Sequence, residues 1–438
     1  SSMRRFVPAV DMIASNSAAF AAIRPGGSVV TWGDGFSGGN SSSVDEELCG
    51  IKKVYSTHGA FAALKEDGSV VTWGKRDQGA DSSAAQKDLA QVVDIFATDS
   101  AFAALIIDGS VVSWGDVERG GDNSSVFREI MGHERMGAVE GGEKGDQDVV
   151  SVFSTLGAFA ALRKDRSVIT WGHLHYGGDH SIVAPLLRDV HQICAGDAAF
   201  AAVRSDGIAL AWGERFSGGM TDEVADQLSG VRQVVSTEKA FAAIKDDGSV
   251  VTWGNADLGG NSDSVKDQLS DVVEIFGAKS AFAALRQDGS LVTWGHGPWG
   301  GDSSSVSQDL ASEVVRVYSN SVAFAALKTS GGVVTWGHPN GGGNSSKVQG
   351  DLVNVQRIVS TWKAFAALTE GGSVVTWGNS EGGGSSISLK AQLASGVVDV
   401  FSTLGAFAAL KADGSVVAWG TRKHGGEVAA KKSLLGPV

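Results

Sequence analysis

The sequence has little cysteine, little proline and no long apolar segment. Its 438 residues include 6 prolines and two cysteines, Cys49 and Cys194, which lie far apart in the chain. A disulfide between them is not expected, and this favours an intracellular protein while leaving its location open. No run of about 18 apolar residues occurs, so neither a membrane-spanning helix nor a membrane partner is expected.

Basic residues are also fewer than acidic ones. The chain has 36 Lys and Arg against 49 Asp and Glu, which gives a formal net charge of -13. Binding to the phosphates of a nucleic acid needs a concentrated basic surface. The chain has no run of Lys or Arg longer than a short pair such as Arg4-Arg5, so no nucleic-acid partner is expected.

Glycine, with 60 residues, is abundant, and a glycine-containing segment is repeated. The segment at 60–74, AFAALKEDGSVVTWG, recurs in ten related copies. Their tryptophans are Trp32, Trp73, Trp114, Trp171, Trp212, Trp253, Trp294, Trp336, Trp377 and Trp419. Six of the nine gaps between them are 41 residues, two are 42 and one is 57. A nearly fixed period of this length predicts stacked repeats that share one extended core, so we interpret 1–438 as a single domain of ten repeats.

The longest gap marks an insertion between the third and fourth repeats. We place it at 127–148, a segment rich in Gly, Glu and Met. Because the flanking repeats keep their pattern, we expect the insertion to be an excursion at the surface.

Each repeat is expected to form three strands. In the second repeat these are Lys53–Ser56, Ala60–Lys65 and Ser69–Trp73, which are rich in β-branched and aromatic residues. The middle strand is apolar on both faces, which predicts that it lies between two layers.

The segment between the middle and third strands predicts a two-residue hairpin turn. Asp67-Gly68 occupies it in the second repeat, and glycine there tolerates a positive φ. The fourth repeat has Asp165-Arg166 instead, so a different turn is expected there.

A variable loop follows each Trp-Gly and ends in Gly-Gly in most repeats, as at Gly218-Gly219. Asp or Asn and then serines come next in seven repeats, as at Asn261-Ser262. Such residues before a short apolar segment are typical of helix N-caps. A single helical turn or a tight coil that crosses to the next repeat is therefore expected.

The repeat resembles that of the RCC1-like family of β-propellers. The last repeat carries the resemblance in Val397-Val398-Asp399-Val400, Phe407-Ala408-Ala409-Leu410, Asp413-Gly414 and Ala418-Trp419-Gly420. The short period is more similar to the β-lactamase-inhibitor branch of this fold, and ten blades exceed the usual seven. The resemblance implies an all-β propeller of ten short blades. We expect a closed single ring, with an open superhelical array as the alternative.

The function expected from this fold is that of a non-enzymatic scaffold that binds a protein partner. Two alternatives remain: a guanine-nucleotide exchange factor of the RCC1 kind, which the resemblance alone implies, and a carbohydrate or small-ligand binder. No nucleophile elbow or phosphate loop is present, so no catalytic residue and no cofactor are expected. Histidines follow Trp-Gly in four repeats, but a metal site would need several to converge and none is expected. These histidines are His173, His175, His296, His338 and His424.

The partner is expected to bind at one end of the blades. With strands of alternating direction, the loop before Ala-Phe and the loop after Trp-Gly lie at the same end, and the residues after Trp-Gly vary most between repeats. Binding residues tend to lie on such loops, and aromatic and Arg side chains are the usual anchors of interfaces. The predicted partner-binding residues are Phe36, Arg76, Tyr176, Arg215, Phe216, Trp299 and Trp362. Loop drift without any partner is the alternative.

Trp362 occupies a distinct loop position, two residues before Ala-Phe. Other repeats have there His58, Asp99, Leu156, Asp197, Glu238, Lys279, Ser321 and Leu404. The Trp362-Lys363 pair resembles the Gly-Trp-Arg-His-Thr site of the plant UV-B photoreceptor, another RCC1-like propeller. This resemblance implies light sensing as a further, weaker alternative, because only one repeat carries the pair.

Overall fold

The computed structural model describes residues 12–126 and 149–427. These residues form ten three-stranded antiparallel sheets, one for each repeat, which we number as blades 1 to 10. The predicted all-β propeller of ten short blades is thereby confirmed. The insertion predicted at 127–148 lies outside the described residues, as do the two chain ends that ring closure would bring together.

The three strands of each blade follow one another in the sheet, so the middle strand pairs with both others. The first strands are Met12–Ser15, Ile51–Ser56, Val92–Ala97, Val149–Ser154, Val190–Ala195, Val231–Ser236, Val272–Gly277, Val314–Ser319, Val355–Ser360 and Val397–Ser402. The middle strands are Ala19–Ile23, Ala60–Lys65, Ala101–Ile106, Ala158–Arg163, Ala199–Arg204, Ala240–Lys245, Ala281–Arg286, Ala323–Lys328, Ala364–Thr369 and Ala406–Lys411. The third strands are Val29–Gly33, Val70–Gly74, Val111–Gly115, Val168–Gly172, Ala209–Gly213, Val250–Gly254, Leu291–Gly295, Val333–Gly337, Val374–Gly378 and Val416–Gly420.

The middle strands carry the core, as their two apolar faces predict. Ala240, Phe241 and Ala242 of blade 6 have no exposed surface. Successive side chains of a strand point to opposite faces. Phe241 stacks on Trp253 with ring centroids 5.4 Å apart, while Ala240 and Ala242 pack with Phe282 of blade 7. Each blade therefore sets a large aromatic face against the small alanine face of its neighbour.

The turn between the middle and third strands differs from the predicted two-residue form. In blade 6 the Lys245 N–H donates to Ser249 O over 2.9 Å and the Gly248 N–H donates to Lys245 O over 2.9 Å. The loop therefore has three residues and ends in a left-handed glycine, with φ of 77° at Gly248. Its carbonyl accepts the N–H of Val272 over 3.0 Å, which ties the turn to the next blade.

The turn at Asp165-Arg166 keeps this geometry, so the different turn expected there is wrong. Arg166 has φ of 64°. Its N–H donates to Arg163 O over 2.9 Å, and its carbonyl accepts from the Val190 N–H over 3.0 Å. The bond to the next blade fixes the conformation, although a left-handed non-glycine residue costs about 1–2 kcal/mol.

Short helical turns occupy the connections between blades. The expected crossing turns are 3₁₀ segments at Ser124–Val126, Ala184–Leu186, Ala225–Gln227, Asp263–Gln268, Ser304–Val306, Gln349–Asp351 and Ile387–Leu389. As the capping pattern predicts, the Asn261 Oδ1 accepts the Asp263 N–H over 2.7 Å.

A second set of helical turns, which the sequence did not indicate, follows the third strands. Its members are Gly35–Gly39, Arg76–Gln78, Val117–Arg119, Leu174–Tyr176, Arg215–Ser217, Ala256–Leu258, Gly297–Trp299, Pro339–Gly341 and Arg422–His424. No helix in the described part of the chain is long and apolar enough to span a membrane.

The blades divide between two compact units. The terminal unit comprises Ser1–Asp67, Val71–Lys75 and Ser303–Val438, and it contains blades 1, 2, 8, 9 and 10. The central unit comprises Gly68–Val70 and Arg76–Asp302, and it contains blades 3 to 7.

In the terminal unit the last blade packs on the first. The Trp32 indole N–H of blade 1 donates to Gly425 O over 3.2 Å. Phe20 of blade 1 also shares a core cluster with Ala406 and Ala408 of blade 10. Consecutive blades make the same contacts. Closure of the whole ring remains a prediction.

Candidate functional site

Two loops of each blade meet at one end, as the strand directions predict. Buried threonines join them in blades 3, 4, 6, 9 and 10, and buried asparagines join them in blades 1 and 8. In blade 9 the Thr361 hydroxyl donates to Gly382 O over 2.8 Å and accepts the Ala364 N–H over 3.1 Å. We call the end with these two loops the loop end and the end with the Asp-Gly turns the turn end.

The loop after each third strand is fixed by the tryptophan of the next blade. The Trp253 indole N–H donates to Gly218 O over 3.0 Å. Gly218 has φ of 88°, and a Cβ there would come within 2.6 Å of the Phe241 ring. The loop backbone is therefore fixed at its glycine, while the side chains before it remain free to differ between blades.

In the central unit, two of the predicted binding residues are exposed and not ion-paired. These are Arg215 and Phe216. Both lie exposed on the turn Arg215–Ser217, and Phe216 is 74% exposed. The Glu214 carboxylate accepts the Phe216 N–H over 2.9 Å, which orders the turn. An aromatic and a guanidinium side chain thus stand side by side on a rigid loop.

Tyr176 and Trp299 are half-buried at the loop end instead of projecting from it. The Arg119 guanidinium lies 5.5 Å from the centroid of the Tyr176 ring. The Trp299 ring lies 4.7 Å from that of His296. Part of each aromatic surface is therefore already used within the chain. Arg119 was not among the residues singled out from the sequence, because its position depends on the packing of two blades.

Arg76 is highly exposed but paired. Its Nη2 lies 2.6 Å from Asp81 Oδ2. The pKa of Asp81 lies well below its usual range because of the Ser83 hydroxyl first and the Arg76 guanidinium second. Arg76 would therefore have to leave Asp81 to bind a partner fully.

Phe36 and Trp362 are the predicted binding residues of the terminal unit. Phe36 is 81% exposed on the segment Gly35–Gly39, and Trp362 is 41% exposed. All seven predicted residues lie on loop-end segments. Only Arg215 and Phe216 share a turn, and no ring contact or ion pair among the described residues joins any two of the seven.

The loop position of Trp362 has a structural role that the sequence did not show. In both units the residues at this position bind one another from blade to blade. In the central unit the N–H groups of Asp99, Leu156, Asp197 and Glu238 donate to the carbonyls of Leu156, Asp197, Glu238 and Lys279, over 3.2, 3.0, 2.9 and 3.2 Å. We call this series the central belt.

The terminal belt continues the pattern in the other unit. The N–H groups of Ser321, Trp362 and Leu404 donate to the carbonyls of Trp362, Leu404 and Ser17, over 3.3, 3.0 and 3.2 Å. The Ser17 hydroxyl donates to His58 O over 2.6 Å. Apart from this last link, which uses the Ser17 side chain, the belt bonds join main-chain atoms and do not depend on the side chain that each residue carries.

The central belt is charged. The Lys279 ammonium lies 2.6 Å from the Glu238 carboxylate. Burial and the neighbouring Glu238 charge raise the pKa of Asp197 to about 6, while Lys279 and Lys239 oppose this shift. The pKa of this carboxyl group therefore lies well above the usual range for Asp.

The histidines after Trp-Gly make local contacts. The ring centroids of His173 and His175 lie 5.7 Å apart. Burial lowers the pKa of His424, and the nearby Lys423 charge lowers it further by a smaller amount. Among the described residues no group of three or more His, Cys, Asp or Glu side chains could hold a metal ion.

No protein-family model and no curated protein matches the chain. Among solved structures it is similar to Prp20p from Saccharomyces cerevisiae, which is described as binding Gsp1p and histones. The identity is 18%, the TM-score is 0.36, and the match covers 58% of this chain and 73% of Prp20p.

Two further solved structures are similar to the chain. The CRINKLY WD40 ectodomain of the Arabidopsis thaliana receptor kinase ACR4 has 16% identity and a TM-score of 0.32, over 66% of this chain and 95% of that one. The computationally designed Ika8 protein has 13% identity and a TM-score of 0.33, over 76% of this chain and 98% of that one. Similarities this low do not indicate a shared function. The ten three-stranded antiparallel sheets, one for each repeat, show the fold of a β-propeller, and the repeat motif resembles that of the RCC1-like family.

Proposed function

We propose that this propeller is a non-enzymatic scaffold whose loop end binds a protein partner. One observation carries the proposal: Phe216 is 74% exposed beside the exposed Arg215 on a turn of fixed backbone. Aromatic and Arg side chains dominate the binding energy of protein interfaces. A rigid loop also loses little conformational entropy when it binds.

The two ends of the blades differ in what their residues do. The turn end contributes to the fold, since Gly248 accepts a hydrogen bond from the next blade and a Cβ there would come within 3.0 Å of Asp271 Cα. At the loop end, the residues after Trp-Gly differ in every blade and leave side chains such as Phe36 exposed. This division supports the loop end as the partner-binding surface.

The experiment compares two variants of the full chain in capture from native cell extract. One carries Arg215→Ala with Phe216→Ala. The matched control is Ile107→Ala, because Ile107 is a 69% exposed apolar side chain at the turn end of the same unit. We expect the double variant to lose more than about tenfold of its captured partner, and the control to keep it.

The reverse result, with the partner lost on Ile107→Ala and kept by the double variant, would place the binding surface at the turn end. The guanine-nucleotide exchange alternative predicts faster nucleotide release from a small GTPase, which a release assay measures. Capture of no protein, together with binding on a glycan array, would overturn the protein-partner proposal.

A further inference from the structure

We propose that the terminal unit has a binding site for a neutral saccharide in the cavity at its belt. The cavity has a volume of about 440 Å³. Its lining includes Ser17, His58, Ser321, Trp362, Ser402 and Leu404, from blades 1, 2, 8, 9 and 10. Cavities of roughly 300–1,000 Å³ are typical of small-ligand sites. Nine of the eleven residues that line this one are polar, and Trp362 and Leu404 are the apolar ones. This site is distinct from the proposed protein-binding turn at Arg215 and Phe216.

Trp362 supplies an aromatic platform. It lines the cavity and is 41% exposed. The Lys363 ammonium lies 4.3 Å from the centroid of its ring, but Lys363 is not part of the lining. With the ammonium beside its ring, Trp362 still lines the cavity and keeps 41% of its surface exposed. Leu404, 46% exposed, extends this apolar surface.

An aromatic platform of this kind fits the flat face of a sugar ring. The face of an indole carries partial negative charge. The C–H groups on one face of a pyranose are weakly positive and apolar, so they can pack on it. A cationic ligand would instead encounter the Lys363 charge on the same indole.

The polar groups of the cavity match hydroxyl ligands. Among the described residues that line it, the polar side chains are hydroxyls, amides and one imidazole, without a carboxylate, lysine or arginine. Hydroxyls both donate and accept hydrogen bonds. The Ser17 hydroxyl already donates to His58 O, so its lone pairs remain for a ligand O–H.

The backbone around the platform is fixed before any ligand arrives. The backbone N–H of Trp362 donates to Leu404 O over 3.0 Å, and the backbone carbonyl of Trp362 accepts from the Ser321 backbone N–H over 3.3 Å. The buried Thr361 hydroxyl joins this loop to Gly382. A site built on fixed backbone loses little entropy on binding, which matters for a ligand as small as a disaccharide.

The test is a titration of the full chain with maltose, cellobiose, lactose and N,N′-diacetylchitobiose, followed by calorimetry and by the NMR signals of the indole N–H groups. We expect at least one disaccharide to bind saturably and to shift the Trp362 signal. Trp362→Ala should weaken that affinity by about tenfold or more, since stacking on an aromatic ring is worth on this order. Trp299→Ala, which removes a partly exposed indole of the central unit, should leave it unchanged.

A second variant guards against misfolding of the first. Ser321→Tyr should narrow the cavity and weaken binding while Trp362 remains, and thermal melting should show both variants folded. The proposal is overturned if none of the four sugars binds, or if Trp362→Ala or Ser321→Tyr binds them as tightly as the unchanged chain. Saturable binding of inorganic phosphate or choline that shifts the Trp362 signal in place of the sugars would overturn it as well.

Discussion

The central and terminal belts have the same backbone and different side chains. In each, a loop residue donates its N–H to the carbonyl of the corresponding residue in the next blade, over 2.9 to 3.3 Å. The central belt carries Asp99, Asp197, Glu238 and Lys279. The terminal belt carries Ser321, Trp362 and Leu404, without a carboxylate among its described residues.

This difference shows what a backbone-supported loop permits. Because main-chain atoms make the belt bonds at every described link except that from Ser17 to His58, the other side chains at the belt are not needed for these bonds and can differ between blades. Charges in the central belt interact with one another, as Lys279 does with Glu238. The neutral side chains of the terminal belt border a cavity instead. The following substitutions test whether the two units share the same backbone scaffold while their belt side chains differ in charge.

The largest effect on stability is expected from the buried tryptophans, which both units share. Trp253→Ala in the central unit and Trp73→Ala in the terminal unit should each lower the free energy of unfolding by about 3–5 kcal/mol. Both indoles are buried and donate to the loop of the preceding blade, at Gly218 over 3.0 Å and at Gly38 over 2.9 Å. Urea unfolding measures the change. Trp362→Ala is the control and should change it far less, since that ring is partly exposed. A large loss in only one unit would contradict a common scaffold.

A smaller effect is expected from the buried threonines that join the two loops. Thr237→Val and Thr361→Val should each cost about 1–3 kcal/mol, because buried backbone groups lose a hydrogen-bond partner. Thr237 accepts the Ala240 N–H over 3.0 Å, and Thr361 accepts the Ala364 N–H over 3.1 Å. Thermal melting compares them with Thr237→Ser and Thr361→Ser, which keep the hydroxyl. Equal losses for Val and Ser would show that packing, and not the hydrogen bond, is responsible.

The smallest effect on stability is expected at Asp197, and it should be present in the central belt and absent from the terminal belt. The pKa of Asp197 is raised from its ordinary 3.8 to about 6, so its stabilising contribution is present below pH 3.8 and is lost as the pH rises through 6. Asp197→Asn should therefore stabilise the protein at neutral pH, by about 1 kcal/mol after allowance for solvent screening. It should also flatten the pH dependence of stability between pH 3.8 and 6.

The matched control is Ser321→Asn at the same position of the terminal belt. It should leave the pH dependence unchanged, because serine does not titrate there. Urea unfolding at a series of pH values measures both variants. An unchanged pH dependence in Asp197→Asn would show that another group titrates in this range.

Much of the loop end could be predicted, but not how each residue is used. Strand alternation placed Phe216 and Trp299 at the same end of their blades, and the structure places them there. The sequence could not show that Phe216 is exposed while Trp299 packs on His296. The difference arises because Phe216 is the second residue of its helical turn and Trp299 is the third residue of its own. The loop sequences did not indicate that these helical turns form. The pairing of Arg119 with Tyr176 was missed because it joins two blades.

The sequence by itself determined the repeat, the three strands of each blade and the burial of the middle strand. These depend on local periodicity: alternating side chains on a strand, and glycine where the chain must turn. Tertiary structure decided the turn at Arg166, where a hydrogen bond to Val190 of the next blade maintains a conformation that an isolated arginine disfavours. It also decided the belts, because a hydrogen bond between main-chain atoms of neighbouring blades is made whatever side chain is present and so leaves no pattern in the sequence.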